Sequence, residues 1–336
     1  MIKMRFERLS ARYAGLRVAV VGDVCLDRYL EIDPAREETS LETGLPVHNV
    51  VRVRDQLGGA GNVVANLAAL GIGHIDLVGY CGDDGEGYQV RRALSHLSVV
   101  CTDSFPCVPD RRTFTYCKPI VLEEQGPRER SRLDIKNDTP TPSWLSQCLA
   151  ASVAKLGDCV DAIIALEQTD RAETGVLTHA VRAELGAVAR RRPTMPILAD
   201  SRRSLRDFPR LNFKMNGAEL TSLMGVKDVS SSRVLRSVVA EWAQSQGRST
   251  FVTLSGSGII AADPDGTSYH APALPPRGRI DVVGAGDSVT ANVAAALAAG
   301  GATAEACHIA MAAASHTIHQ IGTTGVASVE DISALL

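Results

Sequence analysis

Residues Asp281-Val-Val-Gly-Ala-Gly-Asp-Ser288 place two glycines and an acid where an Ala-rich helical pattern begins. Gly284 and Gly286, with Ala285 between them, let the backbone turn tightly, so that successive N–H groups point at one spot. A helix start of that kind binds an anion, because its dipole and its unpaired N–H groups both favour negative charge. Asp287 would repel a resting phosphate, yet it is placed to take a proton from a hydroxyl that attacks a phosphoryl group. Its plainer reading is an acid that charges the first helical turn.

Three other segments carry the same kind of signal. Gln56-Leu-Gly-Gly-Ala-Gly-Asn62 runs into a helical pattern. Gly58 and Gly59 bring backbone close to a neighbour, and Asn62, which donates and accepts at once, suits a vicinal diol as well as a helix cap. Asp23 and Asp27 follow an apolar run; carboxylates at a strand end are sugar-hydroxyl acceptors or ordinary loop acids, and the ligand-binding edge of a parallel sheet favours the sugar. Asn216-Gly-Ala-Glu219 reads as a capping box. The same two residues suit the water shell of a Mg²⁺ beside a triphosphate.

These residues need a frame. Apolar β-branched runs at 17–22, 75–79, 161–166, 195–200 and 250–255 alternate with helical patterns at 60–71, 86–96, 143–156, 171–191, 217–224, 231–246, 285–299 and 303–319. Such alternation predicts an α/β fold, a mostly parallel sheet with helices on both faces. Residues 28–57 and 105–136 break it with period-two polar patterns such as Val-Arg-Val-Arg (51–54), and are expected to form a small sheet projecting as a lid. The expectation is one domain over 1–336 with that appendage.

Composition narrows the function. Lys and Arg number 35 against 38 Asp and Glu, and this slightly acidic balance excludes a dedicated nucleic-acid binder. With 2 Trp, 6 Tyr and 6 Phe there is little material for base stacking. The start of the chain lacks the apolar core of a signal peptide, and the longest stretch without Asp, Glu, Lys or Arg, 306–329, is too polar to span a lipid bilayer. The 8 cysteines show no metal-ligand spacing and read as reduced thiols of a cytoplasmic protein. His308, His316 and His319 share a helix without Asp, Glu or Cys in register, so no metal site is expected there. Arg202, Arg203, Arg206 and Arg210 form a basic cluster, one or two members of which are candidates for a phosphate.

The Asp-Val-Val-Gly-Ala-Gly-Asp run, Gly58-Gly59…Asn62, Asn-x-x-Glu and the Thr253-Leu-Ser-Gly-Ser-Gly258 turn occur together in an order that resembles the ribokinase (PfkB) family of sugar kinases over nearly the whole chain. Within it, Val20–Tyr29, Leu57–Asn62, Arg132-Leu-Asp134 and Gly322-Thr-Thr-Gly-Val326 are most similar to heptose-7-phosphate kinases. The resemblance implies a three-layer α/β/α fold and an ATP- and Mg²⁺-dependent kinase of a sugar or sugar phosphate, with a heptose 7-phosphate among the candidates. It makes Asp287 the catalytic base and Gly284, Ala285 and Gly286 the anion hole. Asp23, Asp27, Gly58, Gly59 and Asn62 would line the sugar site. Thr253, Ser255, Gly256, Gly258 and Met311 would lie along the nucleotide, with Asn216 and Glu219 serving its Mg²⁺. The carbonyls of Asp281 and Val283, with the Gly322 loop, match the place where many relatives bind a monovalent cation such as K⁺. Lids in this family often pair between chains, which implies a homodimer.

The chain also departs from the heptose kinases. Where they carry a Tyr-x-Lys-Gly-like loop it has Glu167-Gln-Thr-Asp-Arg171; where they carry Asp-Pro-Lys it has Asp200-Ser-Arg202, and a Thr-Pro-Asn becomes Lys214-Met-Asn216. Met311 replaces an Asn often found near the adenine. Two other readings keep the fold: a kinase of a nucleoside or another small alcohol, and a catalytically silent sugar- or nucleotide-binding protein.

Overall fold

The computed structural model describes residues 2–225 and 232–336. Its centre is a nine-stranded sheet, in the order Ser268–Ala271, Ile259–Ala262, Thr250–Thr253, Asn212–Asn216, Ile197–Ser201, Ala162–Glu167, Arg17–Gly22, His74–Val78 and Val100–Ser104. The two pairings at the first edge are antiparallel and all the others are parallel. Successive residues of a strand face opposite ways. Val18, Val20 and Ile164 therefore join one core with the Ala60–Ala69, Ala285–Ala298 and Thr303–Thr317 helices. Ala19, Val21 and Ile163 join a second core under the Ser143–Leu156, His179–Arg191 and Ser232–Gln246 helices. Both faces of the sheet are dry, as the apolar runs predict, and the layers are α/β/α. No helix among the described residues is long and apolar enough to cross a membrane.

A separate five-stranded sheet forms the lid from Val24–Ile32, Val50–Gly59, Phe114–Glu123, Gly126–Glu129 and Leu133–Ile135. It begins earlier than 28 because the central strand Arg17–Gly22 passes into the lid with only Asp23 between them. Gly58 and Gly59 end a lid strand rather than forming a free turn. Residues 105–113 lie outside the lid sheet: Cys107–Val108 pairs with Cys81–Gly82 in a short parallel ladder at the lid's root.

Other elements differ from expectation. The helix anticipated over 171–191 starts only at His179, where the Thr178 side chain accepts a hydrogen bond from Val181 N. Residues 168–178 instead fold over Asp23, and Glu173 takes a left-handed conformation (φ 64°). The strands Asn212–Asn216 and Val100–Ser104 escape the apolar-run criterion because they carry Asn, Lys, Thr and Asp. Residue 231, the expected first residue of one helix, lies outside the described residues.

Candidate active site

The Ala285–Ala298 helix starts at the carboxyl edge of the sheet. Gly284 caps it at φ 80°, a conformation that strains any side chain, and a Cβ there would stand 2.8 Å from Asn62 Nδ2. Ala285 N–H already donates to the Val282 carbonyl at 3.2 Å. Among the described residues, the N–H groups of Gly286 and Asp287, like that of Gly284, find no backbone acceptor before the helix, so Ala285 is the one member of the expected anion hole whose N–H is taken.

Asp287 is half-buried in the first helical turn. Burial pushes its pKa up to about 7, against the opposing effects of Asn62 and Lys214, while Asp200 and Asp27 push it further up. Asn62 Nδ2 donates to Asp287 Oδ2 at 2.9 Å. Asn62 is fully buried and also bonded to Asn66, so the structure makes it an orienting partner of the acid rather than a surface for a diol.

Lys214 is the largest addition to the sequence-derived set. It sits buried in the strand Asn212–Asn216, and its Nζ donates to Asp200 Oδ2 at 2.7 Å; Thr290 Oγ1 reaches the same oxygen at 3.2 Å. A Cβ on Gly286 would lie 3.3 Å from that ammonium, which therefore adjoins the helix start. Burial works against the charge of Lys214, but Asp200 above all, then Glu219 and Asp287, outweigh it and raise its pKa. The sequence held a signal: a lysine inside a buried strand needs a carboxylate partner.

Asn216 and Glu219 form the anticipated capping box, with Glu219 N to Asn216 Oδ1 at 2.9 Å and Asn216 N to Glu219 Oε2 at 2.7 Å. Glu219 Oε1 is left over, and burial pushes the carboxyl's pKa up. Both residues border a cavity of about 280 Å³ shared with Ser201, Arg202, Ser204 and Met215. At the end of the strand Thr250–Thr253, Ser255 and Gly256 are exposed, while Thr253 Oγ1 donates to the Met215 carbonyl at 3.4 Å. Gly258 is buried at φ 93°, and a Cβ would stand 2.1 Å from the Ala271 carbonyl; its task is the close approach of two strands. Met311 is a correction of the same kind. It is only 7% exposed and packs in the core, so it offers an adenine almost no surface.

Asp23 is also corrected. It is fully buried, and its two oxygens accept from Gln168 N (2.8 Å) and Val176 N (2.7 Å). Burial raises its pKa while those backbone bonds oppose the rise. It holds the 168–178 loop instead of meeting a sugar. Asp27 does face the cleft: its carboxylate lies 3.2 Å from Lys118 Nζ and packs on Gly58, whose Cβ would come within 2.7 Å of it. Gly59, at φ 56°, allows contact with the Asp23 carbonyl.

Two tyrosines on the inner face of the lid each carry two cations. Arg54 and Lys118 lie 4.7 Å from the Tyr29 ring centre; Arg132 and Arg202 lie 4.8 and 5.9 Å from that of Tyr116. Arg54 pairs with Glu31, Lys118 with Asp27 and Arg132 with Asp134. Arg202, from the body of the protein, has no carboxylate within pairing distance among the described residues. The rest of its cluster is structural or solvated. Arg203 adjoins Glu167 and Asp207, Arg206 donates to the Leu223 carbonyl at 2.8 Å, and Arg210 is exposed. The departure at 167 is a buried network too, since Glu167 accepts from Ser201 Oγ and lies beside Arg182.

The expected cation loop is held by hydrogen bonds from its own residues and from the lid. Asp281 accepts from Val283 N (3.1 Å) and Gly322 N (2.9 Å), and the Gly322 carbonyl accepts from Arg54 Nη1 at 2.6 Å. A guanidinium thus occupies one carbonyl of that place. Gln56 bonds Thr323 and Thr324, fastening the same loop to the lid. Of the three histidines, His319 bonds the Ser315 carbonyl and Arg277 N, and His316 lies 3.6 Å from Asp331. His74, Asp76 and Cys101 do converge, at the opposite edge of the sheet, but Arg17 pairs with both Asp76 oxygens.

A doubly wound sheet with a strand lid, and an acid at a glycine-opened helix start, define a ribokinase-like fold. The chain is similar to ribokinase of Arabidopsis thaliana complexed with ribose and ATP (TM-score 0.71, 18% identity, 95% of this chain and 98% of that one). It is similar also to phosphofructokinase-2 of Escherichia coli in complex with fructose-6-phosphate (TM-score 0.69, 17% identity, 95% and 98%). The chain belongs to the pfkB family of carbohydrate kinases, whose model matches residues 16–330. Among curated relatives, the bifunctional protein HldE of Rhodospirillum rubrum is 32% identical over 97% of this chain, and that of Pectobacterium atrosepticum 32% over 95%. The chain spans 64% and 63% of the lengths of these two relatives.

Proposed function

We propose that the chain transfers the γ-phosphoryl group of ATP to a hydroxyl of a phosphorylated sugar, a heptose 7-phosphate being the first candidate. The observation that carries this reading is Asp287, a carboxyl with a pKa near neutrality oriented by Asn62 beside two unclaimed N–H groups and an ammonium. The acceptor oxygen attacks the γ-phosphorus, its proton passes to Asp287, and the bond to the bridging oxygen breaks to release ADP. Gly286 and Asp287 N–H and Lys214 take up charge on the transferred group, the kind of stabilisation that dominates phosphoryl transfer. The free oxygens of Glu219 and Asp200 fit the water shell of a Mg²⁺, which would neutralise phosphate charge when bound. Ser255 and Gly256 are the exposed surface left for the nucleotide.

The acceptor's own phosphate is read from Arg202, which stacks with Arg132 on Tyr116 and lacks a carboxylate of its own. Similarity to HldE proteins and to the heptose-kinase motifs supports the same class. Arg54 at the Gly322 carbonyl favours a reaction without monovalent-cation dependence. On the lid's outer face Val51, Val53 and Leu133 are 41, 54 and 60% exposed, which supports a homodimer formed through the lid. The test is ADP release with a panel of phosphorylated and unphosphorylated sugars and nucleosides. Turnover is expected to require a phosphorylated sugar; a preference for a nucleoside or a neutral sugar, or no transfer to any acceptor, would overturn the reading.

A further inference from the structure

Two cysteines on the page belong to no part of the reaction. Cys81 and Cys107 are register partners in the short parallel ladder at the lid's root, with Cys81 N donating to the Pro106 carbonyl at 3.1 Å. Both side chains point to the same face, Cys81 within the core and Cys107 packed against it from a half-exposed position. Cys107 Sγ reaches the Gly82 carbonyl (3.4 Å) and Asp83 Oδ1 (3.6 Å), beside Cys81. Adjacent strands stand about 4.8 Å apart, inside the range of about 4.4–6.8 Å that a disulfide spans between Cα atoms.

The ladder matters because of what hangs on it. Gly82 N donates to Thr113 Oγ1 at 2.9 Å, and Asp84 accepts from Thr113 N, Thr113 Oγ1 and Gly87 N. Thr113 immediately precedes the lid strand Phe114–Glu123, which carries Tyr116 and Lys118. Nearby, Glu86 pairs with Arg28 of the lid strand Val24–Ile32. A covalent bond between Cys81 and Cys107 would therefore stiffen the ladder against which Thr113, the residue that leads into the lid strand, is held.

We propose that Cys81 and Cys107 form a reversible intrachain disulfide when the protein meets a hydroperoxide, and that this bond restrains the lid and slows turnover. Cys107, the accessible partner, attacks the peroxide oxygen as its thiolate. The O–O bond breaks and a sulfenic acid forms at Cys107. The Cys81 sulfur then displaces that hydroxyl: the S–S bond forms, the S–O bond breaks, and the oxygen leaves as water with the Cys81 proton. In sum two thiols and one hydrogen peroxide give one disulfide and two waters, the thiols losing two electrons. Burial pushes the Cys81 thiol up to about 12, so it is a poor first target and reacts after its partner is oxidised. A dithiol reductant reverses the bond by exchange.

The experiment treats the reduced, folded full chain with hydrogen peroxide, maps its peptides without reduction, and measures ADP release before and after dithiothreitol. The expected result is a linked Cys81–Cys107 peptide pair, a turnover loss of about threefold of the kind a lid restraint produces, and recovery of both on reduction. Cys107→Ser, at a half-exposed position outside the cleft, should keep its turnover under peroxide. Unlinked Cys81 and Cys107 peptides, a linked pair with unchanged turnover, or an equal loss in Cys107→Ser would each overturn the proposal.

Discussion

In the proposed reaction the phosphoryl group is handled around Asp287 and the acceptor around Tyr116, and the chain assembles these two regions in opposite ways. At the phosphoryl end one short run of backbone, residues 281–288, supplies the acid, the glycines and the helix start, and Asn62, Lys214, Asp200 and Glu219 are brought to it from elsewhere. At the acceptor end Tyr116 and Lys118 share one lid strand, but Arg132 comes from another lid segment and Arg202 from the body. Charge follows the same division. Lys214 is held by Asp200 in a buried pair, whereas Arg202 pairs with no carboxylate among the described residues. Transfer chemistry is thus fixed locally and rigidly, and selection of the acceptor depends on two sheets meeting.

The comparison can be broken most severely at the acid. Asp287→Asn should lower kcat by about 10³-fold and leave acceptor affinity within a few fold, measured by steady-state ADP release. In the parent, kcat/KM should fall below a pH near 7, because the base must be ionised and burial sets its pKa at about 7. The stability sign runs the other way. The folded chain binds a proton on Asp287 that the unfolded chain gives up near pH 4, so stability falls as pH rises from about 4 to about 7. Asp287→Asn should therefore unfold at higher denaturant at pH 8, by on the order of 2 kcal/mol, discounted because the carboxyl keeps some solvent contact. A variant that is inactive but no more stable would separate the role from the burial.

Lys214→Met, made together with Asp200→Asn so that no buried carboxylate is left unpaired, should lower kcat by about 10²-fold with little change in acceptor KM. A change in KM alone would move Lys214 from the phosphoryl end to the acceptor end. Arg202→Ala should do the converse, raising KM for a phosphorylated sugar roughly tenfold while kcat holds. Equal losses with neutral and phosphorylated sugars would remove Arg202 from the acceptor's phosphate. The smallest expected effect is that of Val53→Lys on the outer face of the lid. It should shift light scattering from dimer to monomer and alter transfer by no more than about twofold.

What the sequence disclosed follows the same division. The alternation of apolar runs and helices gave the three layers, because each strand's two faces are dry and the pattern is local. The Asn216–Glu219 box and the Gly-x-Gly-Asp helix start were legible because each lies within one turn of chain. Asp23 was misread: its type and position suit a sugar, but the loop that covers it lies more than a hundred residues downstream. Met311 failed for a similar reason, since a methionine serves a core and a cofactor equally well and only packing decides. Lys214 was missed because its strand carries too many polar residues to read as buried, and its partner Asp200 sits on the neighbouring strand, a pairing that strand order alone reveals.

The passage of the central strand into the lid through Asp23 gives the molecule a fulcrum. A carboxylate gripped by Gln168 N and Val176 N pins one of the points where body and lid share a backbone, so the lid cannot swing there as a free flap. Tilting must instead be passed as torque to the 168–178 loop and to the Gly322–Thr324 loop held by Arg54 and Gln56. The latter is bonded to Asp281, at the start of the turn that presents Asp287, so on the proposed reading an acceptor that draws the lid down would also load the lever arm that ends at the acid.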